Sequence, residues 1–301
     1  MLTQKNRRLL GVLAALALGT AITTIGSAAS AQDVQITGPL AGQPAVRHMR
    51  QYRVNRFFIT PSVGYTLQDE FSRALFFGGS LGFHFTDWLG IGAWGGGAPI
   101  DIDTDLTSQI ADNGQVSPQN RLSLPSAAGF PDQVGRIRWG ASLHVLFIPL
   151  RGKLSLFQAG FVDTDLYILA GVGLFGVDER QDVSREQYRA ACVDQPQPPG
   201  SSAPDCLATQ SRTSRILPAP MLGVGLSMYF NEFIGLQIEW RAFPFSWRAS
   251  GFDESGEDAN GEPGSGFPDE QINGSDARTT FNQMLNIGLV IYLPTEVQIT
   301  D

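Results

Sequence analysis

From Phe57 onward the chain runs on a period of two. Phe57, Ile59, Pro61, Val63, Tyr65 and Leu67 alternate with Phe58, Thr60, Ser62, Gly64 and Thr66, so one face is apolar and the other mostly small or polar. That alternation predicts a strand. Pro61 is its weak point, because proline cannot donate to a ladder. Seven further segments follow the same rule: 77–85, 88–97, 137–147, 166–177, 220–230, 234–241 and 281–293. The seventh of the eight is the clearest. There Ile234, Leu236, Ile238 and Trp240 alternate with Gly235, Gln237, Glu239 and Arg241.

The connections sharpen the prediction. Thr86-Asp87 and Asn231-Glu232 are tight turns, and residues 149–153 turn the chain again, with 154–163 as an extension. Segments 98–135, 178–213 and 249–277 are long and polar, while Asp69 and Glu70 mark a modest loop. Long and short connections thus alternate, as in transmembrane barrels, and strands of about ten residues cross the hydrocarbon when tilted. Aromatic residues toward strand ends (Phe57, Tyr65, Trp88, Trp139, Tyr229, Phe243, Phe245, Trp247 and Tyr292) fit interfacial girdles. The expected fold is all-β, an eight-stranded antiparallel up-and-down transmembrane β-barrel over residues 53–293. A soluble sandwich is the fold alternative.

The N-terminus changes the compartment. Lys5, Arg7 and Arg8 precede an apolar run to Ile25, and Ala29-Ser30-Ala31 supplies a small-x-small cleavage pattern. Residues 1–31 therefore read as a secretory signal peptide. Residues 32–52 read as a periplasmic N-terminal segment, with a short helix starting at Pro44, and 294–301 as a C-terminal tail. Export together with a barrel predicts the outer membrane of a Gram-negative cell, reached through its insertion machinery. In that oxidising setting Cys192 and Cys206 are expected to close a local disulfide. The chain holds 21 Lys and Arg, three of them in the signal segment, against 29 Asp and Glu. This excess of acid argues against nucleic acid as a partner.

Three stretches carry a family resemblance: Gly38-Pro39-Leu40-Ala41-Gly42 with Pro44-Ala45-Val46-Arg47, then Phe83-His84-Phe85-Thr86-Asp87-Trp88-Leu89, then Gly152-Lys153-Leu154-Ser155-Leu156-Phe157. The chain resembles, over most of its mature length, outer-membrane β-barrel domain proteins best represented among myxobacteria and their relatives. The resemblance implies an outer-membrane barrel and carries no settled activity. Many outer-membrane proteins end in an aromatic residue. Here Tyr292 is followed by nine more residues.

Candidate chemistry is sparse. Two stretches fit G-x-G-x-x-G, at Gly90–Gly95 and Gly171–Gly176, but neither is followed by the helix a dinucleotide site needs. Gly78-Gly79-Ser80-Leu81-Gly82 matches a nucleophile elbow, yet Ser80 lies mid-strand and His84 stands about 13 Å along it. A histidine from another strand, such as His144, would be needed. Asp101, Asp103 and Asp105 resemble the start of a calcium loop, with Leu106 where glycine belongs and Asp112 where glutamate belongs. The loop 249–277, rich in Asp, Glu and Gly, reads as solvated and mobile. Its sharper reading is cation-bridged contact with lipopolysaccharide phosphates.

The inward face offers a charge cluster. Arg138, Glu239 and Arg241, with Gln237, are expected to point into a narrow lumen and to pair there, because unpaired charge is costly away from water. A barrel of eight strands is just wide enough to be filled by side chains. The expectation is therefore a non-enzymatic barrel, without cofactor or metal, that acts structurally or through its external loops and meets membrane lipid and lipopolysaccharide. The alternatives are a narrow channel or conduit for small molecules, and a barrel-borne lipid hydrolase. The sequence leaves the oligomeric state open.

Overall fold

The computed structural model describes residues 53–67, 69–116, 121–156, 160–193, 211–255 and 269–294. The signal peptide, the 32–52 segment, the residues after Pro294 and the Cys192–Cys206 pairing lie outside the described structure. Eight strands close into a barrel in sequence order: β1 (Arg56–Leu67), β2 (Ser72–His84), β3 (Leu89–Asp103), β4 (Arg136–Leu156), β5 (Gly160–Arg180), β6 (Arg212–Tyr229), β7 (Ile234–Trp247) and β8 (Arg278–Leu293). Every pair is antiparallel. The expected eight-stranded fold is what forms.

The register gives the barrel's shape. One circuit runs Leu226, Ile238, Ile287, Val63, Phe77, Gly97, Trp139, Gly176 and back to β6 at Ile216. It returns ten residues along the same strand. With ordinary strand rise and spacing, eight strands and this stagger give a tilt near 40° and a backbone radius of about 8 Å. Such a ring holds side chains and little else.

Alternation then sorts the residues. Phe57, Leu81, Ile91, Leu143, Val172, Ile216, Leu222 and Ile287 point outward and are exposed. Their β-strand neighbours point inward and are buried. No helix among the described residues is long and apolar enough to cross a membrane. The span is made by strands, which close into a ring and so leave no open sheet edge to the lipid. Glycines admit the large inward side chains. A Cβ on Gly82 would stand 2.2 Å from the Phe58 ring, and one on Gly225 would stand 2.1 Å from the Tyr167 ring.

The strands are longer than the alternation predicts, mostly toward the long loops. β6 begins at Arg212 instead of 220, and β3 reaches Asp103 instead of 97. Those extensions mix Arg, Thr, Ser and Asp with a few outward apolar residues, Ile100, Ile102 and Ile216, too few to mark the strands by themselves. The β4–β5 hairpin also extends downward, from Leu150↔Leu166 to Leu156↔Gly160.

The turns at the lower end are capped locally. Thr86 Oγ1 accepts from the Leu89 amide at 3.0 Å, and Asn231 Oδ1 accepts from the Phe233 and Ile234 amides at 3.0 and 2.7 Å. The opposite end carries the three long connections. There α1 (Asp105–Asn113) starts on a Thr104 cap, and helical turns stand at Phe130–Gln133 and Arg185–Tyr188.

Candidate functional site: the filled lumen and the loop platform

The lumen is layered. The layer toward the loops is apolar, built from Phe76, Trp94, Phe175, Phe243, Phe245 and Trp247. The lower layer holds Phe58, Leu146, Tyr167, Leu169, Tyr229 and Tyr292. A polar belt separates them.

Arg241 of β7 is the centre of the belt. It is 1% exposed and forms an ion pair with Glu239, itself 3% exposed. The two lie two residues apart on one strand, so alternation aims both inward. Arg241 Nη1 donates to Ser142 Oγ at 3.4 Å and Nη2 to Ser80 Oγ at 3.3 Å. Its guanidinium lies 4.9 Å from the Trp94 ring centroid. Glu239 Oε2 accepts from the Tyr167 hydroxyl at 2.9 Å, and Gln237 Nε2 donates to that same hydroxyl oxygen. A buried cation is thus held by a carboxylate, two hydroxyls and an aromatic face, as burial requires.

Arg138, expected in the same cluster, lies elsewhere. A register shift between Ile137 and Trp139 breaks the alternation, and Ile137 takes the inward place. Arg138 sits at the loop-side rim, donating to Asp101 Oδ2 at 2.6 Å and paired with Asp178 at 3.5 Å. Asp101 and Asp103 also pair with Arg136, at 3.2 and 3.8 Å. The first two carboxylates of the calcium-like triplet are therefore partners of arginine.

Ser80 has no histidine partner. Its oxygen takes a hydrogen bond from Arg241, while His84 Nε2 faces the Tyr292 hydroxyl at 3.5 Å in the lower layer. The glycine-rich stretches lie inside β3 and β5, where their missing side chains make room: a Cβ on Gly92 would meet His144 Nε2 at 2.6 Å. Several aromatic residues expected at the interfaces point inward instead. Tyr229, Phe243, Phe245, Trp247 and Tyr292 are all buried in the lumen, while Phe57, Trp88 and Trp139 are exposed on the outer wall.

Arg53 closes the lower end. It is 1% exposed, pairs with Asp165, stacks 4.5 Å from the Tyr229 ring centroid, and anchors its amide on Asp87 Oδ1 at 2.9 Å. Sequence reasoning missed it, because Arg53 precedes the first alternating residue.

At the upper end the described parts of the three long loops form one body. Arg180 Nη1 donates to the Leu122 and Gly251 carbonyls, both at 2.7 Å. Gln133 Nε2 donates to Ser123 O at 2.6 Å and Ser250 O at 3.3 Å, and Val183 and Ile272 form a bridge. Phe71, Leu124, Phe130 and Val134 pack as one small core; Leu122, Tyr188 and Ile272 form another. Glu179, fully buried, pairs with Arg215 at 2.6 Å and Arg248 at 3.1 Å.

The acidic loop differs from the solvated segment expected. Asp253, Asp269 and Asp276 are each at most 3% exposed. Asp276 Oδ1 accepts from the Glu254 and Ser255 amides, both at 2.8 Å, and its Oδ2 from the Asn273 amide at 2.7 Å. These carboxylates serve the loop's own backbone, which acidic composition alone cannot reveal. Burial, with Asp269 and Asp276 nearby, pushes the Asp253 carboxyl up to about 7. Burial likewise raises Asp69, in the β1–β2 loop, to about 6. No group of three or more His, Cys, Asp or Glu among the described residues is arranged to hold a metal ion.

An apolar outer wall, a filled polar-belted lumen, and short turns at one end with long loops at the other define an outer-membrane β-barrel protein. No protein-family profile matches the chain, and no curated protein matches it. Among solved structures it is similar to the N-terminal β-barrel domain of Pseudomonas aeruginosa OprF, at 12% identity over 80% of this chain and 98% of that one, TM-score 0.38. It is also similar to Neisserial surface protein A, at 6% identity over 78% and 96%, TM-score 0.35. A third is Ail, the attachment invasion locus protein of Yersinia pestis, at 9% identity over 80% and 99%, TM-score 0.32.

Proposed function

We propose that this chain is a plugged, non-catalytic barrel of the outer membrane that acts through its loop platform. The observation that carries the reading is the Arg241–Glu239 pair, buried between two apolar layers of the lumen. An open water path would hydrate those charges; here side chains satisfy them. The long loops, tied by Arg180 and Gln133, then face outward from the cell, where lipopolysaccharide and other surface partners meet them. A signal-peptide-directed route and the barrel insertion machinery belong to the same reading, and the resemblance to the myxobacterial family supports it. The Ser80 hydroxyl, engaged by a guanidinium, favours a packing role over a nucleophilic one. Purified protein in planar bilayers tests the plug. The expected record is flat at 100 mV; stepwise currents would overturn the reading.

A second reading, a narrow conduit, draws on one observation. His144 Nδ1, Gln237 Oε1 and both amide atoms of Asn286 are buried in the lumen without a partner among the described residues. A polar thread of this kind suits small solutes. The same bilayer record, taken with Arg241→Ala, separates the two: current in the variant alone supports the plug, and current in both supports the conduit.

A further inference from the structure

The loop-side rim of the barrel has a notch. β7 and β8 stay paired up to Trp247↔Arg278, but β1 pairs with β8 only as far as Leu67↔Gln283. There β1 ends, and residues 68–71 turn the chain into β2 at Ser72. Residues 278–282 of β8 therefore have a strand on one side and none on the other. The notch stands above the hydrocarbon. Leu67 is ten residues along β1 from Phe57, which at a 40° tilt is a rise of about 25 Å, the height of a barrel's lipid-facing band. Backbone groups left open at this level meet water.

The register tells which groups are open. In an antiparallel ladder a residue's N–H and C=O both point toward the same neighbour, and successive residues alternate. Pro244 has no N–H, yet the β7–β8 ladder runs unbroken through Pro244↔Phe281. Pro244 and Phe281 are thus a pair without mutual hydrogen bonds. At the lower end of the same strand the Tyr292 amide donates to Phe233 O at 2.8 Å, so the even-numbered residues of β8 bond toward β7. Both observations leave Thr279 and Phe281 turned toward the notch. Both residues are exposed, and neither has a backbone partner on that side among the described residues.

Beside this edge lies a cavity of about 430 Å³, lined by residues 69–72, by residues 278–282, and by Trp247, Ser250 and Glu254 of the loop platform among others. That volume is in the range of binding pockets. The β1–β2 connection that borders it is braced from α1: Thr104 Oγ1 donates to Glu70 O at 2.5 Å, and Thr107 Oγ1 to Phe71 O at 2.6 Å. The cavity is acidic. Arg278 is paired with Glu254, which leaves the Asp69 and Glu70 carboxylates without an ion pair among the described residues. Arg73, whose charge reaches Asp69, donates to the Tyr65 hydroxyl at 3.3 Å.

We propose that the notch binds a short extended peptide carrying a lysine or arginine, added as a strand to the open edge of β8. Thr279 and Phe281 offer two donors and two acceptors to its backbone, the hydrogen bonding of strand addition. The basic side chain of the peptide meets Asp69 and Glu70 at the border of the same cavity. Natural sheets usually blunt an open edge with charge, proline or a covering loop. Here the two residues that face the notch are a threonine and a phenylalanine, beside an empty volume large enough for a ligand. The site is part of the loop end and rests on the reading of that end as the working one. It is independent of whether the lumen conducts.

Titration of the isotope-labelled protein in detergent micelles with the acetylated, amidated peptide Thr-Val-Lys-Val-Thr, followed by amide NMR, tests it. Shifts should concentrate at the Thr279 and Phe281 amides. Two further peptides carry N-methyl groups on alternate amides, one set each. The set that faces β8 should bind about tenfold more weakly, having lost its backbone donors, and the other set should bind as the parent does. Replacing the peptide's lysine by glutamate, or changing Asp69→Asn together with Glu70→Gln, should weaken binding by a similar factor. Thr279→Pro removes one donor from the edge and should do the same. Absence of shifts at Thr279 and Phe281 would overturn the proposal. So would equal sensitivity to both methylated sets, or n-butylamine binding as tightly as the peptide, since either result leaves no part for strand pairing. The wild-type titrations decide the matter even if a variant fails to fold, and planar-bilayer currents bear on the plug alone.

Discussion

Removal of the Glu239 carboxylate is the most direct probe of the lumen. Glu239→Ala leaves the Arg241 guanidinium, 1% exposed, with two hydroxyl contacts of 3.3 and 3.4 Å and the Trp94 face. The hydroxyl contacts are long for hydrogen bonds, and a cation on an aromatic face is worth about 0.5–2 kcal/mol. Neither replaces a carboxylate. Breaking a buried pair from one side costs about 3–5 kcal/mol, and this site is at the upper part of that range because the Tyr167 hydroxyl also loses its acceptor. The double change Glu239→Leu with Arg241→Met removes both charges and keeps apolar volume. It should cost less than either single change, about 1–2 kcal/mol or none. Urea unfolding of the reconstituted protein, followed by tryptophan fluorescence, gives all three values. If Glu239→Ala costs under about 1 kcal/mol, or if the double variant costs the sum of the singles, the belt is hydrated and the plug argument fails.

Other predictions test separate parts of the molecule. Arg53→Ala strips the cap from Asp165 and Tyr229 and should destabilise the barrel by about 3 kcal/mol in the same urea assay. Gly225→Val drives a side chain into the Tyr167 ring and should cost about 1–3 kcal/mol, read as a lower temperature for loss of the fast-migrating band on unboiled gels. The folded loop favours protonated Asp253, whose carboxyl titrates at about 7 against an ordinary 3.8. Loop stability should therefore fall as pH rises from about 4 to about 7, seen as faster proteolysis within residues 249–277, and Asp253→Asn should flatten that dependence.

The period-two pattern was enough to place all eight strands, because one face of each must be greasy wherever it meets lipid. It failed where that demand ends. The upper parts of β3, β5 and β6 mix Asp, Arg, Thr and Ser with only scattered apolar residues such as Ile102 and Ile216, which reads as loop. Phase was legible at Glu239 and Arg241 because β7 has no irregularity near them. It was lost at Arg138 because one bulge, invisible in composition, turns the side chain to the rim. Aromatic residues misled for a related reason: both faces of a small barrel accept them, one for the interface and one to fill the lumen. The burial of Asp253, Asp269 and Asp276 depends on contacts between loops far apart in sequence, which no local pattern encodes.

Arg180 has a further consequence. Because one guanidinium holds Leu122 and Gly251 together, the described loops are not three independent appendages that can be lengthened or exchanged at will. An insertion that shifts either carbonyl strands a buried cation and loosens the others, so variation in one loop demands matching change elsewhere. A designer wishing to display a foreign peptide on this barrel would do better at the short β1–β2 connection, which Arg180 does not clamp.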